Sequence, residues 1–387
     1  MIRAAVLFTN YGPYHLAGAE SFSKVEDIEA HFVELAPAQE RYPWQTTRDD
    51  LDFRITTLVN TPLERIPLSR LVKELHKTLN ALRPQALVIS GYRRPTMLAA
   101  ARWARAHGAA SIAMSDTTAL DRERVWWKEQ IKRQLVRRYY DAGFVSGRAS
   151  RRYLCTLGIP QDRIWERNYV VNNAYFGESS RRLSERADEH RKRAGLPERY
   201  FLYVGRFSPE KNLARLLQAY RHYRDSDPKG WKLVLVGDGS QREELLQLAR
   251  DLELIDIVWP GFKQIDELPT YYALSGGFIL PSISEPWGLV INEAMACGLP
   301  VLVSDRCGSA PDLVAEGGNG YIFDPFSVDE ISARMLKLAR LGENERHTMG
   351  ETSQRIISGY TPEARAENLA DCIRQTVARV QRDGEEF

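Results

Sequence analysis

Two carboxylates and two cations in the second half of the chain have the types and spacing to do chemistry. Glu285 and Glu293 lie in the segment Pro281-Ser-Ile-Ser-Glu-Pro-Trp-Gly-Leu-Val-Ile-Asn-Glu-Ala-Met-Ala-Cys-Gly-Leu-Pro300. The pattern predicts a buried strand ending at Leu280, a loop with Glu285 and Pro286, and a helix from near Trp287–Gly288. Gly298 and Pro300 end that helix. Its N-terminus would sit at the C-terminal edge of a parallel sheet, where free N–H groups and the dipole suit an anion. Gly288 lets that anion approach closely. Glu293 would fall about 9 Å further along the axis, so the two carboxylates can flank a bound diphosphate. The alternative is a dipole partner for Glu285 and a solvated face for Glu293. Arg206 and Lys211, in Tyr203-Val-Gly-Arg-Phe-Ser-Pro-Glu-Lys-Asn212, flank a strand-to-helix loop. They can neutralise a diphosphate leaving group without metal, or belong to an ordinary surface loop. Val236-Gly-Asp-Gly-Ser240 repeats the turn one strand later, with Gly237 offering bare backbone to a ligand.

These residues need a parallel sheet to position them, and both halves of the chain supply its pattern. In the first half, apolar runs at 2–9, 86–90, 111–114 and 142–146 read as strands, with a weaker one at 163–171. Helical spacing at Leu71, Val72, Leu75, Leu79 and Leu82, and the Ala- and Arg-rich stretch 95–107, fill the intervals. In the second half, strands at 200–205, 232–237, 257–260, 277–281 and 301–304 alternate with helices at 213–223, 242–252, 287–297 and 328–341. Strand–helix alternation argues for parallel sheets covered on both faces. Between the halves, the stretch from Gly177 is rich in Ser, Arg and Glu and poor in apolar residues. The organisation expected is a domain over 1–176, a linker over 177–197, a second domain over 198–360, and a terminal helix in 361–387 packing back toward the first domain.

Composition excludes several classes. Of 387 residues, 43% are hydrophobic and 27% charged, as in ordinary globular proteins. The four cysteines are too scattered for a disulfide framework or a thiolate metal site, which points to a reduced, cytoplasmic setting. The first residues carry one positive charge and too short an apolar run for a signal peptide, and no run is long enough to span a membrane. Charge is uneven: residues 1–190 hold 29 Lys and Arg against 22 Asp and Glu, and the remainder 24 against 29. A basic first half suggests an anionic surface or substrate there.

Four features in order resemble the retaining family 4 glycosyltransferases of the GT-B fold: GRFSPEKN (205–212), VGDGSQREELLQLA (236–249), EPWGLVINE (285–293) and GGNGYIFDP (317–325). The resemblance spans residues 198–340. In the first half only Asn10-Tyr-Gly-Pro-Tyr-His15 and the overall α/β pattern carry it. It implies two Rossmann-like domains with parallel sheets facing across a cleft. A UDP- or GDP-linked sugar would lie on the second domain and a sugar or lipid-linked acceptor on the first, with no cofactor and no metal. The resemblance makes Arg206 and Lys211 the diphosphate cations. It gives the sugar to Glu285 with the backbone of Trp287, Gly288 and Leu289, and the ribose to Glu293. Phe262 and Lys263 would meet the base, and Gly12 and Gly237 the donor. The family histidine after the fourth strand is missing, and Asp116 in Ser111-Ile-Ala-Met-Ser-Asp-Thr-Thr118 is its candidate replacement, or else a cap for the following segment. His15 is a candidate acceptor contact, or a structural loop histidine. Rival readings are a GT-B-like nucleotide-sugar epimerase or hydrolase, and a non-catalytic nucleotide-sugar-binding partner.

Asp225-Ser-Asp227 matches a metal-binding Asp-x-Asp signature but falls between a helix and a strand at the sheet edge away from the expected crevice, so it reads as a solvated turn. No histidines have ligand spacing. The stretch 122–140 is helical and basic, with Trp127, Ile131, Leu135 and Tyr139 on one face. One reading is an interfacial helix on anionic lipid at the inner face of the cell membrane, using Trp127, Lys128, Lys132, Arg133 and Arg137. The other packs that face on the sheet. Without an aromatic–basic platform motif, nucleic acid is not expected.

Overall fold

The computed structural model describes residues 1–37 and 51–385. The chain divides into two compact units. Unit 1 comprises Met1–Ala119, Glu123–Val170 and Tyr360–Phe387, and unit 2 comprises Leu120–Arg122 and Val171–Gly359.

In unit 1, β1 (Ile2–Phe8), α1 (Pro13–Ser23), β2 (Ile28–Glu34), β3 (Ile55–Thr57), α2 (Leu68–Leu82), β4 (Ala86–Ser90) and α3 (Pro95–Ala106) come first. They are followed by β5 (Ala110–Ser115), α4 (Trp126–Tyr139), β6 (Ala142–Val145), α5 (Arg148–Thr156) and β7 (Ile164–Trp165). Among the described residues the strands order as β3-β2-β1-β4-β5-β6-β7, with parallel pairing throughout. Period-two alternation splits each strand between two cores. Ala4, Val6, Val88 and Ile112 join Phe22 of α1 on one face, whereas Leu7, Leu87 and Ile89 join Leu75 and Leu79 of α2 on the other. Apolar residues on both faces are what a helix-covered parallel sheet requires.

Unit 2 starts with α6 (Asn173–Ser184) and α7 (Ala187–Ala194), then β8 (Tyr200–Val204), α8 (Leu213–Ser226), β9 (Lys232–Val236), α9 (Arg242–Asp251) and β10 (Ile257–Gly261). It continues with α10 (Leu268–Ala273), β11 (Gly277–Leu280), α11 (Leu289–Ala296), β12 (Val301–Ser304), α12 (Ala310–Leu313), β13 (Gly320–Phe323), α13 (Val328–Ala339) and α14 (Glu343–Ile357). The sheet runs β10-β9-β8-β11-β12-β13, again parallel. The last helix, α15 (Pro362–Glu385), belongs to unit 1, where Leu369, Ile373 and Val377 enter the core beside Phe22.

Three sequence expectations need correction. The expected linker 177–197 is largely two helices of unit 2, and the chain passes between units at Val170–Val171. Helix α6 docks through the buried Phe176, just before this stretch, and through small residues within it: Ser180 Oγ donates to the Cys297 carbonyl at 3.2 Å, and a Cβ on Gly177 would lie 3.3 Å from the Ala296 carbonyl. Close backbone approach replaces the large apolar stripe, so its composition reads as a linker. The strand expected over 163–171 shrinks to Ile164–Trp165, and the helix expected from 287 begins at Leu289.

Candidate active site

In unit 2 the strand order reverses direction between β8 and β11, and open α/β sheets bind ligands at such a switch point. The loops after these two strands carry Arg206, Lys211 and Glu285. Lys211 Nζ donates to Glu285 Oε2, and the two side chains are only 13% and 11% exposed. Arg206 pairs with Glu210 at 3.3 Å and stays accessible at 39%. Asn212 holds the loops together from an αL conformation (φ 60°), its Nδ2 donating to the carbonyls of Pro281 at 3.0 Å and Pro325 at 2.8 Å. Tyr203 Oη donates to the Arg206 carbonyl at 2.8 Å; desolvation first, and the Glu285 charge second, hold its pKa well above the usual tyrosine range. Burial and then Glu285 raise the Cys307 thiol likewise, leaving it protonated and unsuited to nucleophilic work.

The Glu285 loop is anchored by its backbone. Gly308 N–H donates to the Glu285 carbonyl at 2.8 Å, and Ser309 Oγ donates to the Trp287 carbonyl at 2.6 Å. Trp287 is buried, with Nε1 donating to Asn292 Oδ1 at 3.0 Å. Gly288 adopts φ 90°, and a Cβ there would lie 3.0 Å from Leu280 Cδ2. It turns the chain into α11, whose N-terminal residue Leu289 is partly exposed and whose first turn contains no acid. Asn212, Asn292 and Ser309 are supporting residues that sequence reasoning did not single out. A polar Asn292 inside the apolar run Leu289–Ala296 was the available signal.

Gly237 has a packing role that its motif does not show. It has φ 142°, and a Cβ would fall 1.8 Å from the Gly205 carbonyl oxygen. Its missing side chain makes room for the β8 loop. Gly205 N–H donates to the Val236 carbonyl at 3.0 Å and Phe207 N–H to the Asp238 carbonyl at 2.8 Å, completing this backbone contact. Phe262, just past β10, is 37% exposed, and Lys263 forms an ion pair with Glu267 at 3.0 Å. For Glu293 the solvated-face alternative is corrected. It is fully buried in α11, neither on a solvated face nor open to solvent, and accepts a 2.7 Å hydrogen bond from Tyr272 Oη. Because α11 starts at Leu289, Glu293 lies more than one turn inside the helix and points into packed structure.

In unit 1 the strand order reverses between β1 and β4. A cavity of about 470 Å³ opens there, and Asp116, half-buried after β5, lines it. Asp116 caps no helix: the next one, α4, has Val125 at its N-cap. Gly12 is the N-cap of α1 with open space where a Cβ would be. His15 completes that cap, accepting from Gly12 N–H at 3.4 Å, and its ring stacks near Phe8 at 4.3 Å. Desolvation, reinforced by Arg365, lowers its pKa to about 4, so it is neutral at pH 7. His15 therefore serves as a helix cap and is not among the cavity's lining residues.

Helix α4 buries only Val136; Trp126, Trp127 and Ile131 are 75%, 54% and 52% exposed. Of the basic residues expected outside, Lys128, Arg133 and Arg137 are exposed, whereas Lys132 turns inward to Glu129 at 2.6 Å and Tyr153 Oη at 2.6 Å. Asp225 pairs with Arg221 at 3.1 Å at the end of α8, and no group of metal-ligating side chains occurs among the described residues. Likewise, no described helix is long and apolar enough to cross a membrane.

Residues 185–356 match the family model for glycosyl transferases group 1. The chain is 34% identical over 170 residues to a sulfoquinovosyl transferase of Arabidopsis thaliana, covering 43% of this chain and 31% of that protein. It is 39% identical over 140 residues to an O-antigen chain mannosyltransferase B of Escherichia coli, covering 36% of each. The chain thus spans about a third of the length of these two curated relatives. Across 97% of its length it superposes on all of Anabaena HepE, crystallised with UDP and glucose, with a TM-score of 0.74 at 17% identity, a likeness of fold. Residues 185–356, in the second unit, are therefore similar to the glycosyl transferases group 1 family, on a chain with a GT-B-type fold of two Rossmann-like units.

Proposed function

We propose that the chain is a retaining, metal-independent family 4 glycosyltransferase. It moves a sugar from a UDP- or GDP-linked donor to a hydroxyl of a cell-envelope glycan or lipid-linked intermediate. The observation that carries this reading is the Lys211–Glu285 pair, with Arg206 beside it, at the switch point of unit 2. A diphosphate entering there offers both cations better-matched oxygens than their resident carboxylates. Glu285 is then free to accept hydroxyls of the sugar. As the glycosidic bond breaks, the departing phosphate gains charge, so Lys211 and Arg206 bind the transition state more strongly than the ground state. The same phosphate accepts the acceptor's proton on the face it leaves, which gives retention. The mannosyltransferase and HepE names support the sugar-donor and envelope parts of the reading.

The test is transfer from a panel of nucleotide sugars in excess EDTA, with and without acceptor. Acceptor-dependent product is expected. Donor turnover without acceptor would instead favour the epimerase or hydrolase reading, and binding without turnover the non-catalytic one. We place the chain at the inner face of the membrane through Trp126, Trp127 and Ile131 with Lys128, Arg133, Arg137 and Arg138, because apolar residues ringed by cations suit an anionic lipid surface. Charge reversal at those four cations should release the protein from anionic vesicles. Equal sedimentation with neutral and anionic vesicles would reject this placement.

A further inference from the structure

The cavity at the switch point of unit 1 has a charge arrangement that its own protein partners do not balance. Helix α3 begins there, with Arg94 as N-cap and Pro95 following, no side-chain cap and no acidic residue in its first turn. Its first intrahelical bond runs from Leu98 N–H to the Arg94 carbonyl, so the N–H groups of Thr96 and Met97 precede it. Arg93 and Arg94 are exposed, line the cavity, and have no side-chain partner among the described residues. Two cations at the positive end of a helix repel it.

A third cation lies behind the cavity. Arg365 of α15 is 6% exposed and bonds only neutral groups: the Asn168 carbonyl at 2.8 Å, Asn168 Oδ1 and the Gly18 carbonyl at 3.3 Å, and Met114 Sδ at 3.7 Å. It has no carboxylate partner among the described residues, and Asn168 and Met114 line the cavity. Burial lowers its pKa to about 10, which still leaves it charged at pH 7. Asp116 is the one carboxylate in the lining. A buried unpaired cation and an exposed pair at a helix N-terminus each cost stability, and both costs fall if an anion sits between them.

We propose that this cavity binds a phosphoryl group carried by the sugar acceptor, with Arg93 and Arg94 donating to its oxygens and Arg365 supplying a fixed positive field. The assignment of this anion to the acceptor rests on the glycosyltransferase reading; the anion site itself does not. Arginine pairs match phosphate geometry, and several converging donors suit a group with two or three free oxygens on each phosphorus. The carrier can be a soluble sugar phosphate or a lipid-linked diphosphate.

The test is calorimetric titration of the full chain with glucose 6-phosphate and with farnesyl diphosphate. The Arg93→Gln/Arg94→Gln and Arg206→Gln/Lys211→Gln variants are titrated in parallel. At least one probe should bind the first variant tenfold or more weakly and the second as wild type; the tighter probe identifies the source. Without ligand, Arg93→Gln/Arg94→Gln should melt at or above the wild-type temperature, because it relieves repulsion, whereas loss of a structural contact would lower it. Binding unchanged in Arg93→Gln/Arg94→Gln, or no binding of either probe to wild type, would overturn the proposal. Phosphoryl binding at Arg93–Arg94 in a chain that turns over no nucleotide sugar would keep the anion site and discard the acceptor assignment.

Discussion

The two switch points share a topology and differ in how their charges are balanced. At the unit 2 site every cation named has a carboxylate: Lys211 has Glu285 and Arg206 has Glu210. At the unit 1 site Arg93, Arg94 and Arg365 have none among the described residues. A pre-paired site can be half-buried without a ligand, because each partner offsets the other's desolvation. An unpaired one keeps its arginines in water or surrounds them with carbonyls. The difference suggests two ways of waiting for an anion, by exchange of partners in unit 2 and by addition of a missing one in unit 1.

The largest expected effect follows from breaking the exchange. Lys211→Ala should lower kcat by roughly 10²–10³, the scale for losing one donor to developing charge. It also leaves Glu285 buried without its cation, so the melting temperature should drop. Lys211→Ala/Glu285→Gln should recover much of that stability and none of the turnover. If the double variant were active, neither residue would belong to the chemistry.

Next comes Gly237→Ala. With a Cβ 1.8 Å from the Gly205 carbonyl and φ 142° to be strained, the β8 and β9 loops must separate. A loss of about 1–3 kcal/mol is expected from urea melts. A neutral result would mean that the loops are not held by this contact.

Glu293 sharpens the comparison further. Glu293→Ala removes the acceptor of the 2.7 Å hydrogen bond from the buried Tyr272 hydroxyl and should cost about 1–3 kcal/mol. Glu293→Gln keeps an acceptor for that hydroxyl and should remain near wild type in stability. If Glu293 also bonds the ribose, Glu293→Gln should raise the donor KM several-fold with kcat retained. An unchanged KM would leave it a purely structural residue.

Much of unit 2 was legible because its chemistry sits in unbroken motifs. Buried parallel strands such as Lys232–Val236 are continuous apolar runs, and GRFSPEKN and EPWGLVINE place Arg206, Lys211 and Glu285 on the two loops that the topology brings together. What escaped was anything set by packing. Strand β2 mixes polar and apolar residues (IEAHFVE) and has no clear run. Glu293 looks like a surface carboxylate until α11 turns it inward, and Lys132 sits in a basic run but faces Glu129. Arg93 and Arg94 carry no motif at all. They matter only once β4 lies beside β1 and Arg365 arrives from α15, more than 250 residues later.

The smallest effect concerns acid stability of the α1 cap. The folded pKa of His15, about 4, lies below the usual 6.5 of an unfolded histidine, so the unfolded chain binds the extra proton. Stability from this group is whole above about pH 6.5 and is lost as pH falls toward 4. In urea melts at pH 5 and pH 7.5, His15→Asn, which keeps an acceptor for Gly12 N–H, should narrow the gap between the two. An equal gap in both proteins would mean that His15 is not buried neutral.

Titration of UDP and GDP by calorimetry tests the division of labour most directly, since it needs neither the sugar nor the acceptor. The account predicts that Arg206→Gln/Lys211→Gln weakens nucleoside diphosphate binding at least tenfold while Arg93→Gln/Arg94→Gln leaves it within twofold of wild type. The reverse pattern, with affinity lost at Arg93–Arg94 and kept at Arg206–Lys211, would contradict it.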